Sequence, residues 1–327
     1  MSVSFTRHYD IHGLRLSVEA ESAVLGESLE TVLGAFAVCA NEGGGYQVNL
    51  CFGEPPRREA APLLWRGEWA SDVELECYHN DGTRIFLVPD RARLCLDLVR
   101  HRCDVVVKPG QERCLRCGCM TYVLCEFLGN DGQHVVHAAC LAAETETDKR
   151  AVLLAGVCGA GKTTTALALA RAGMRILTDD AAFLVQRAAG LRVWGLPRPC
   201  KVHRQTVKMM DWLDAVESRP IAGTEESAVD LRHLPSGDPR WELVPGLVLL
   251  LEPRNERSHR LQETNNVDAL AELTRQNVRT AHGLAINRAG ESFQALASLV
   301  MNSRVYRLSV GPELGTLHGL LQSLLEA

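Results

Sequence analysis

A chain of 327 residues has room for one large domain or two of ordinary size, and its 46 % apolar residues supply a sizeable core. A net charge of −5 with 23 % charged residues leaves no global basic field for nucleic acid or an anionic membrane. No basic-then-apolar leader opens the sequence and no run of about 18 apolar residues interrupts it, so a cytoplasmic protein without signal peptide or membrane span is expected.

The predicted elements begin with a small α+β domain over 1–129. Residues 14–19 alternate like a strand. Residues 28–40 have helical apolar spacing, with Ser28 as candidate cap and a glycine break at 43–45. Tyr46–Phe52 alternates again and stops before Pro55-Pro56. Strands at 73–78 and 84–88 flank Asn80-Asp81-Gly82, which suits a tight hairpin turn. Further strands are expected at 93–98 and 104–107, then a helix over 111–127 and a turn at Asn130-Asp131-Gly132. The twelve cysteines sit mostly beside Leu, Val and Ala and read as reduced thiols, many of them in the core. Cys114, Cys117 and Cys119, with Cys125 beyond, crowd too closely for the two separated ligand pairs of a structural zinc site. Their spacing suits one buried helix face better.

A different pattern starts near residue 130 and runs to 327. Strands are predicted at 134–141 and 151–155, a helix at 162–172, and a single strand at 175–184. A turn at Gly190 leads to a strand at 191–194. Residues 221–227 and 236–240, rich in Gly, Ser and charge, read as loops on either side of little regular structure. An apolar strand follows at 246–251, helices at 267–277 and 292–301, a strand at Arg304–Ser309 and a last helix at 313–326.

Between the strand at 151–155 and its helix lies Gly156-Val157-Cys158-Gly159-Ala160-Gly161-Lys162-Thr163, which fits G-x-x-x-x-G-K-[ST]. Glycines admit backbone conformations that turn several N–H groups onto one anion. The helix beginning at Lys162 adds its positive end. Lys162 then reaches the β- and γ-phosphates as a point charge, Thr163 places its hydroxyl on Mg²⁺, and Thr164 completes the binding stretch. The strand–loop–helix setting is the one this motif requires. Cys158 inside the loop reads as space-filling, with oxidation at a helix terminus as the reactive alternative. The expected ligands are ATP or GTP with Mg²⁺.

The strand at 175–184 carries Asp179 and Asp180. In phosphate-loop proteins a carboxylate at such a strand end helps hold Mg²⁺, and a neighbour can accept a proton from an incoming hydroxyl. An N-K-x-D guanine reader and an LSGGQ-like signature are both missing, which disfavours a Ras-like GTPase and a transporter ATPase. Trp194, Pro197 and Pro199 fit either a substrate-facing turn or strand-end packing, and His134 is given no role.

Over about 130–327 these residues resemble the HPr kinase/phosphorylase family and its divergent relatives. The resemblance rests on the phosphate loop, on Asp179 seventeen residues after Lys162, and on His137-Ala138-Ala139 upstream. Gly195-Leu196-Pro197, the apolar strand at 246–252 and Val305-Tyr306-Arg307-Leu308 add to it. It implies an α/β fold: a P-loop kinase core of the HPr-kinase and phosphoenolpyruvate-carboxykinase type, with a smaller N-terminal α+β domain. It implies transfer of the γ-phosphate to a hydroxyl, of a protein or peptide serine or of a small molecule, and often a closed homo-oligomer. By carry-over Asp179 is the general base and Asp180 the magnesium- or phosphate-organising acid, with the reverse order open. His137 stands near the transferred phosphate as donor or proton partner. The family's downstream arginine–glycine-rich signature is not recognisable. Glu225, Glu226 and Asp230 are candidates for its preceding acid, and Arg198, Arg204 and Arg254 compete as the transition-state arginine. That departure favours a divergent relative over the bifunctional enzyme. The alternative class is a nucleotide-sensing regulator with the N-terminal region as its interaction module.

Overall fold

The computed structural model describes residues 4–39, 45–70, 73–80, 82–115, 119–144, 148–221, 225–253, 257–277 and 288–326. The chain divides into two compact units. One is Met1–Gly132 with Ala281–Arg288, the other Gln133–Thr280 with Ala289–Ala327.

The first unit contains β1 (Phe5–Ile11), β2 (Leu14–Ala20), α1 (Ala23–Glu27), α2 (Glu30–Leu33), β3 (Ala37–Val38), β4 (Tyr46–Phe52) and β5 (Leu63–Ala70). It continues with β6 (Val73–Asn80), β7 (Thr83–Val88), β8 (Ala92–Asp97), β9 (Arg102–Val107) and α3 (Met120–Asn130). Its strands form one sheet in the order β3-β1-β2-β4-β9-β8-β7-β6-β5, with β4 parallel to both β2 and β9. Alternation sets the buried face: Leu14, Leu16, Val18 and Ala20 of β2 all point into the core. The sequence reading has no strand for β1 or β5.

The helix expected over 28–40 does not form as one piece. Its apolar positions Leu29, Val32, Leu33 and Phe36 are buried as the spacing demands. The chain nevertheless makes only the one-turn α2 there, followed by a 3₁₀ turn at Gly34–Phe36 before entering β3, while α1 ends ahead of it at Glu27. Short helices gain little from propagation, so tertiary packing decides where each one stops. Ser22 caps α1 at its start, accepting from the Leu25 amide; Ser28 closes its far end, donating to the Leu25 carbonyl at 2.6 Å. In the 111–127 stretch Arg113 and Cys114 are already helical, Leu115 and Cys119 are in π-helical turns, and α3 runs on from Met120; 116–118 lie outside the described residues. Cys114, Cys119 and Cys125 are buried thiols; Cys117, Asp81 and Gly43-Gly44 lie outside the described residues.

The second unit contains β10 (Gln133–Glu144), β11 (Lys149–Ala155), α4 (Lys162–Arg171), β12 (Arg175–Thr178), β13 (Ala181–Arg187), β14 (Gly190–Gly195), β15 (Cys200–His203) and α5 (Arg204–Met209). It continues with β16 (Ser218–Pro220), β17 (Glu226–Val229), β18 (Val244–Glu252), β19 (Arg260–Glu263), α6 (Asn266–Asn277), α7 (Ala289–Met301), β20 (Arg304–Ser309) and α8 (Leu317–Glu326). The main sheet runs β14-β13-β10-β11-β18-β20-β19, with β12 also on β10; β11, β18 and β20 are mutually parallel. A separate three-stranded sheet runs β15-β17-β16. Ala139, Leu141, Val152 and Leu154 pack with Leu167 and Leu169 of α4 and Leu317 and Leu321 of α8. Ala138, Cys140, Leu153 and Ala155 pack with Ala269 and Leu273 of α6 and Leu296 and Leu299 of α7. A sheet covered on both faces explains why β11 and β18 read as unbroken apolar runs. The architecture is mixed α/β. Among the described residues no helix is long and apolar enough to cross a membrane.

Two features of this unit differ from the sequence reading. The stretch 175–184 is two strands, broken at Asp179-Asp180 and both paired to the twelve-residue β10. The small sheet and α5 occupy a region read as mostly loop, so 226–227 lie in β17; 222–224 lie outside the described residues.

Candidate functional site

The loop between β11 and α4 is built from its glycines. Gly159 (φ 81°) and Gly161 (φ 93°) are both left-handed, a conformation that side chains resist. A Cβ on Gly156 would crowd Ala160 and the Leu251 backbone at 3.1–3.2 Å. The Ala160 amide donates to the Val157 carbonyl at 3.1 Å. The amides of Cys158, Gly159 and Gly161 have no protein partner among the described residues, and Val157, Cys158 and Gly159 are exposed. A turn of this kind at a helix start concentrates N–H dipoles on one point, the arrangement that holds phosphate. Lys162 folds back over it, its Nζ donating to the Gly156 carbonyl at 2.7 Å. Burial pulls the Lys162 ammonium down from its ordinary value, and the nearby Asp180, Cys158 and Asp179 partly offset this.

Strand register carries a histidine to the same place. Ala138 of β10 pairs with Ala155, so His137 stands beside the start of the loop; on its other side it pairs with Ala181, just past the acidic pair. The His137 amide donates to Asn277 Oδ1 at 2.7 Å, and Asn277 itself is fixed by donating to the Leu273 carbonyl at 2.8 Å.

The acidic corner is a turn closed by Thr178, whose buried hydroxyl accepts from the amides of Asp180 (3.4 Å) and Ala181 (3.2 Å). Asp180 lies between an imidazole and a guanidinium, with His137 Nδ1 2.7 Å from Oδ1 and Arg198 Nη1 2.8 Å from Oδ2. Burial works against its ionisation, but the His137 hydrogen bond and the Arg198 guanidinium prevail and hold its carboxyl well below the usual range. Asp179 is only 7 % exposed. Burial first, and then the charge of Asp180, push it up to about 6, although Cys200, Arg198 and the Lys201 amide pull the other way. Two adjacent carboxyls thus have separated acidities, the usual sign of divided acid and base roles.

The segment after the corner touches both halves of the site. The Lys201 amide donates to Asp179 Oδ2 at 3.3 Å, and Thr206 Oγ1 of α5 lies 2.9 Å from Thr164 Oγ1 of α4. Of the competing arginines, Arg198 is joined to Asp180, Arg204 is exposed on α5, and Arg254 lies outside the described residues. Of the candidate acids, Asp230 is engaged by Arg232 at 2.6 Å, Glu225 is exposed 3.8 Å from His203, and Glu226 sits in β17. Trp194 is fully buried, stacked on Phe183 at 4.5 Å and donating to Gln133 Oε1, so it packs the strand end rather than facing a substrate. Cys200, Lys201 and Thr206 are site neighbours that sequence reasoning passes over; none belongs to a motif, and only the small sheet brings them in.

Among the described residues no three His, Cys, Asp or Glu side chains converge as a metal cluster. The donors present, the Thr163 hydroxyl and the ionised Asp180, are hard oxygens that suit Mg²⁺, an ion that takes few protein ligands and completes its shell with water and phosphate. Comparison with protein-family models gives no match, and comparison with curated proteins gives none.

Proposed function

We propose that this chain is a magnesium-dependent kinase, a divergent relative of the HPr kinase/phosphorylase group, which moves the γ-phosphate of ATP or GTP to a hydroxyl. The observation that carries the reading is the convergence of Lys162, His137 and the Asp179-Asp180 corner on one end of a parallel strand pair. Ligands of α/β sheets gather at such carboxyl ends.

The residues divide the work by environment. The loop amides and Lys162 hold the triphosphate, Lys162 exchanging its carbonyl partners for phosphate oxygens. Thr163 and Asp180 are the residues to hold Mg²⁺, which when bound neutralises charge on the phosphates. Asp179, pushed up to about 6, is poised to take the acceptor's proton near neutral pH. The acceptor oxygen then attacks the γ-phosphorus in line with the departing diphosphate. The low exposure of Asp179 keeps bulk water from the same proton acceptor, which limits futile hydrolysis. His137 holds Asp180 on one side while Arg198 holds it on the other.

Calorimetry with ATP and Mg²⁺ tests the first half: the native chain binds, and Lys162→Ala loses most of that affinity. Incubation with labelled ATP, Mg²⁺ and cell extract tests the second: label appears on a peptide, protein or metabolite. Release of free phosphate alone would mean a nucleotide sensor instead, and failure of the native chain to bind at millimolar ATP would end both readings.

A further inference from the structure

Resting on that kinase reading, we infer that the acceptor is an acidic peptide segment, laid along a strip formed by Lys201, Arg204 and Lys208. From 198 to 208 the chain carries four Arg or Lys residues and no carboxylate, in a protein whose net charge is −5. Arg198 is neutralised by Asp180, and His203 faces Glu225 at 3.8 Å. Lys201, Arg204 and Lys208 are exposed; the Lys201 charge also acts on Asp180, while Arg204 and Lys208 have no salt bridge among the described residues. Lys201 occupies the outward side of β15, whose alternate residues Cys200 and Val202 are buried. Arg204 and Lys208 are four apart on α5 and share one of its faces.

Position ties these charges to the reaction. The strip is fastened at one end to Asp179 through the Lys201 amide and near the other to α4 through Thr206 and Thr164. A chain lying on it therefore runs past the proton acceptor and the phosphate loop. Exposed like charges in a row repel one another and gain nothing for the fold, whereas they steer and hold an oppositely charged partner. The row is short, and among the described residues β15 pairs with β17 on one side and meets Asp179 through the Lys201 amide on the other. A long nucleic acid would meet the negative remainder of the surface.

The test uses the full chain with Mg²⁺ and a non-hydrolysable ATP analogue. Fluorescence anisotropy follows a labelled peptide with one serine among glutamates, a matched peptide with glutamines, and a single-stranded oligonucleotide of similar length. The glutamate peptide should bind and the glutamine peptide should not. Arg204→Glu with Lys208→Glu should weaken the glutamate peptide by about tenfold or more, and salt at about 0.3 M should weaken it in the native chain. The milder pair Arg204→Gln with Lys208→Gln should fall between, and ATP affinity by calorimetry should stay at the native value in both. Equal or absent binding of the two peptides, an unaffected double variant, tighter binding of the oligonucleotide, or a parallel loss of ATP would each overturn the inference. The two proposals fail separately. Nucleotide uptake with no preference for the acidic peptide removes this one alone; acidic-peptide binding without nucleotide uptake removes the kinase reading alone.

Discussion

Each unit buries one carboxyl whose pKa is raised, and the two are not alike. In the first, Glu126 of α3 pairs with Arg84 of β7, both 5 % exposed. In the second, Asp179 lies under the small sheet at 7 %. Burial is the leading cause of a raised pKa in both, Glu126 to about 7 and Asp179 to about 6. The second influence separates them. Around Glu126 it is a cation, which closes the pair on itself. Around Asp179 it is another carboxylate, held ionised by His137 and Arg198 and still 37 % exposed. A shifted carboxyl is therefore weak evidence for a reaction centre; a shifted carboxyl beside an open, clamped one at a phosphate loop is much stronger.

The sharpest way to break this comparison is Asp179→Asn against Glu126→Gln. The first should lower single-turnover phosphate transfer by about 10²–10⁴-fold, the usual worth of a positioned proton acceptor, with nucleotide affinity retained. The second should leave transfer at the native rate. Next, Arg84→Ala strands a buried charge and should cost about 3–5 kcal/mol by urea unfolding, while Arg84→Met combined with Glu126→Leu recovers most of that loss. A third, smaller effect tests the clamp. Arg198 pulls the pKa of Asp179 down and the Asp180 charge pushes it up. Arg198→Ala should thus move the acid limb of kcat/KM above about 6, and Arg198→Lys should return it part of the way; a merely structural arginine would move rate without moving the limb.

The smallest effect is in the pH dependence of stability. Asp179 ordinarily titrates near 3.8 and in the fold near 6, so between those values the native state binds the extra proton. Its contribution therefore favours the fold at low pH and is lost as pH rises through about 6. Asp180 works the opposite way, contributing above its ordinary value and losing that as pH falls. Melting temperatures of the native chain and Asp179→Asn, compared across pH 4 to 7, should show the steeper decline in the native chain, since Glu126, raised to about 7, contributes alike to both.

How much of this is legible in the sequence depends on range. The glycine-rich loop is local: glycine positions, lysine and hydroxyl lie in eight consecutive residues between an apolar strand and a helix, and Gly159 and Gly161 are left-handed there. The acidic pair is visible too, but the break beneath it is not. Apolar residues flank the pair on both sides, Ile176-Leu177 and residues 181–184, so the stretch reads as one strand, and the break is made by the Thr178 turn and by β10 pairing to both pieces. The Arg198–Asp180 clamp spans eighteen positions, a separation at which Arg198, Arg204 and Arg254 have equal claims in the sequence. Strands of three or four residues such as β15, β16 and β17 are too short for a period-two signal, so Cys200, Lys201 and Thr206 stayed hidden. Helical spacing at 28–40 foretold burial correctly and continuity wrongly, because packing, and not propensity, ends a one-turn helix.

Gly195 closes β14 just before the segment that carries Arg198. A Cβ there would stand 2.7 Å from the Leu177 backbone carbon, two residues ahead of Asp179. The doorway through which this segment leaves the sheet admits a hydrogen atom and no methyl group. Gly195→Ala would jostle both acids without touching any ligand, and in a mutant screen such a lesion would masquerade as an active-site residue.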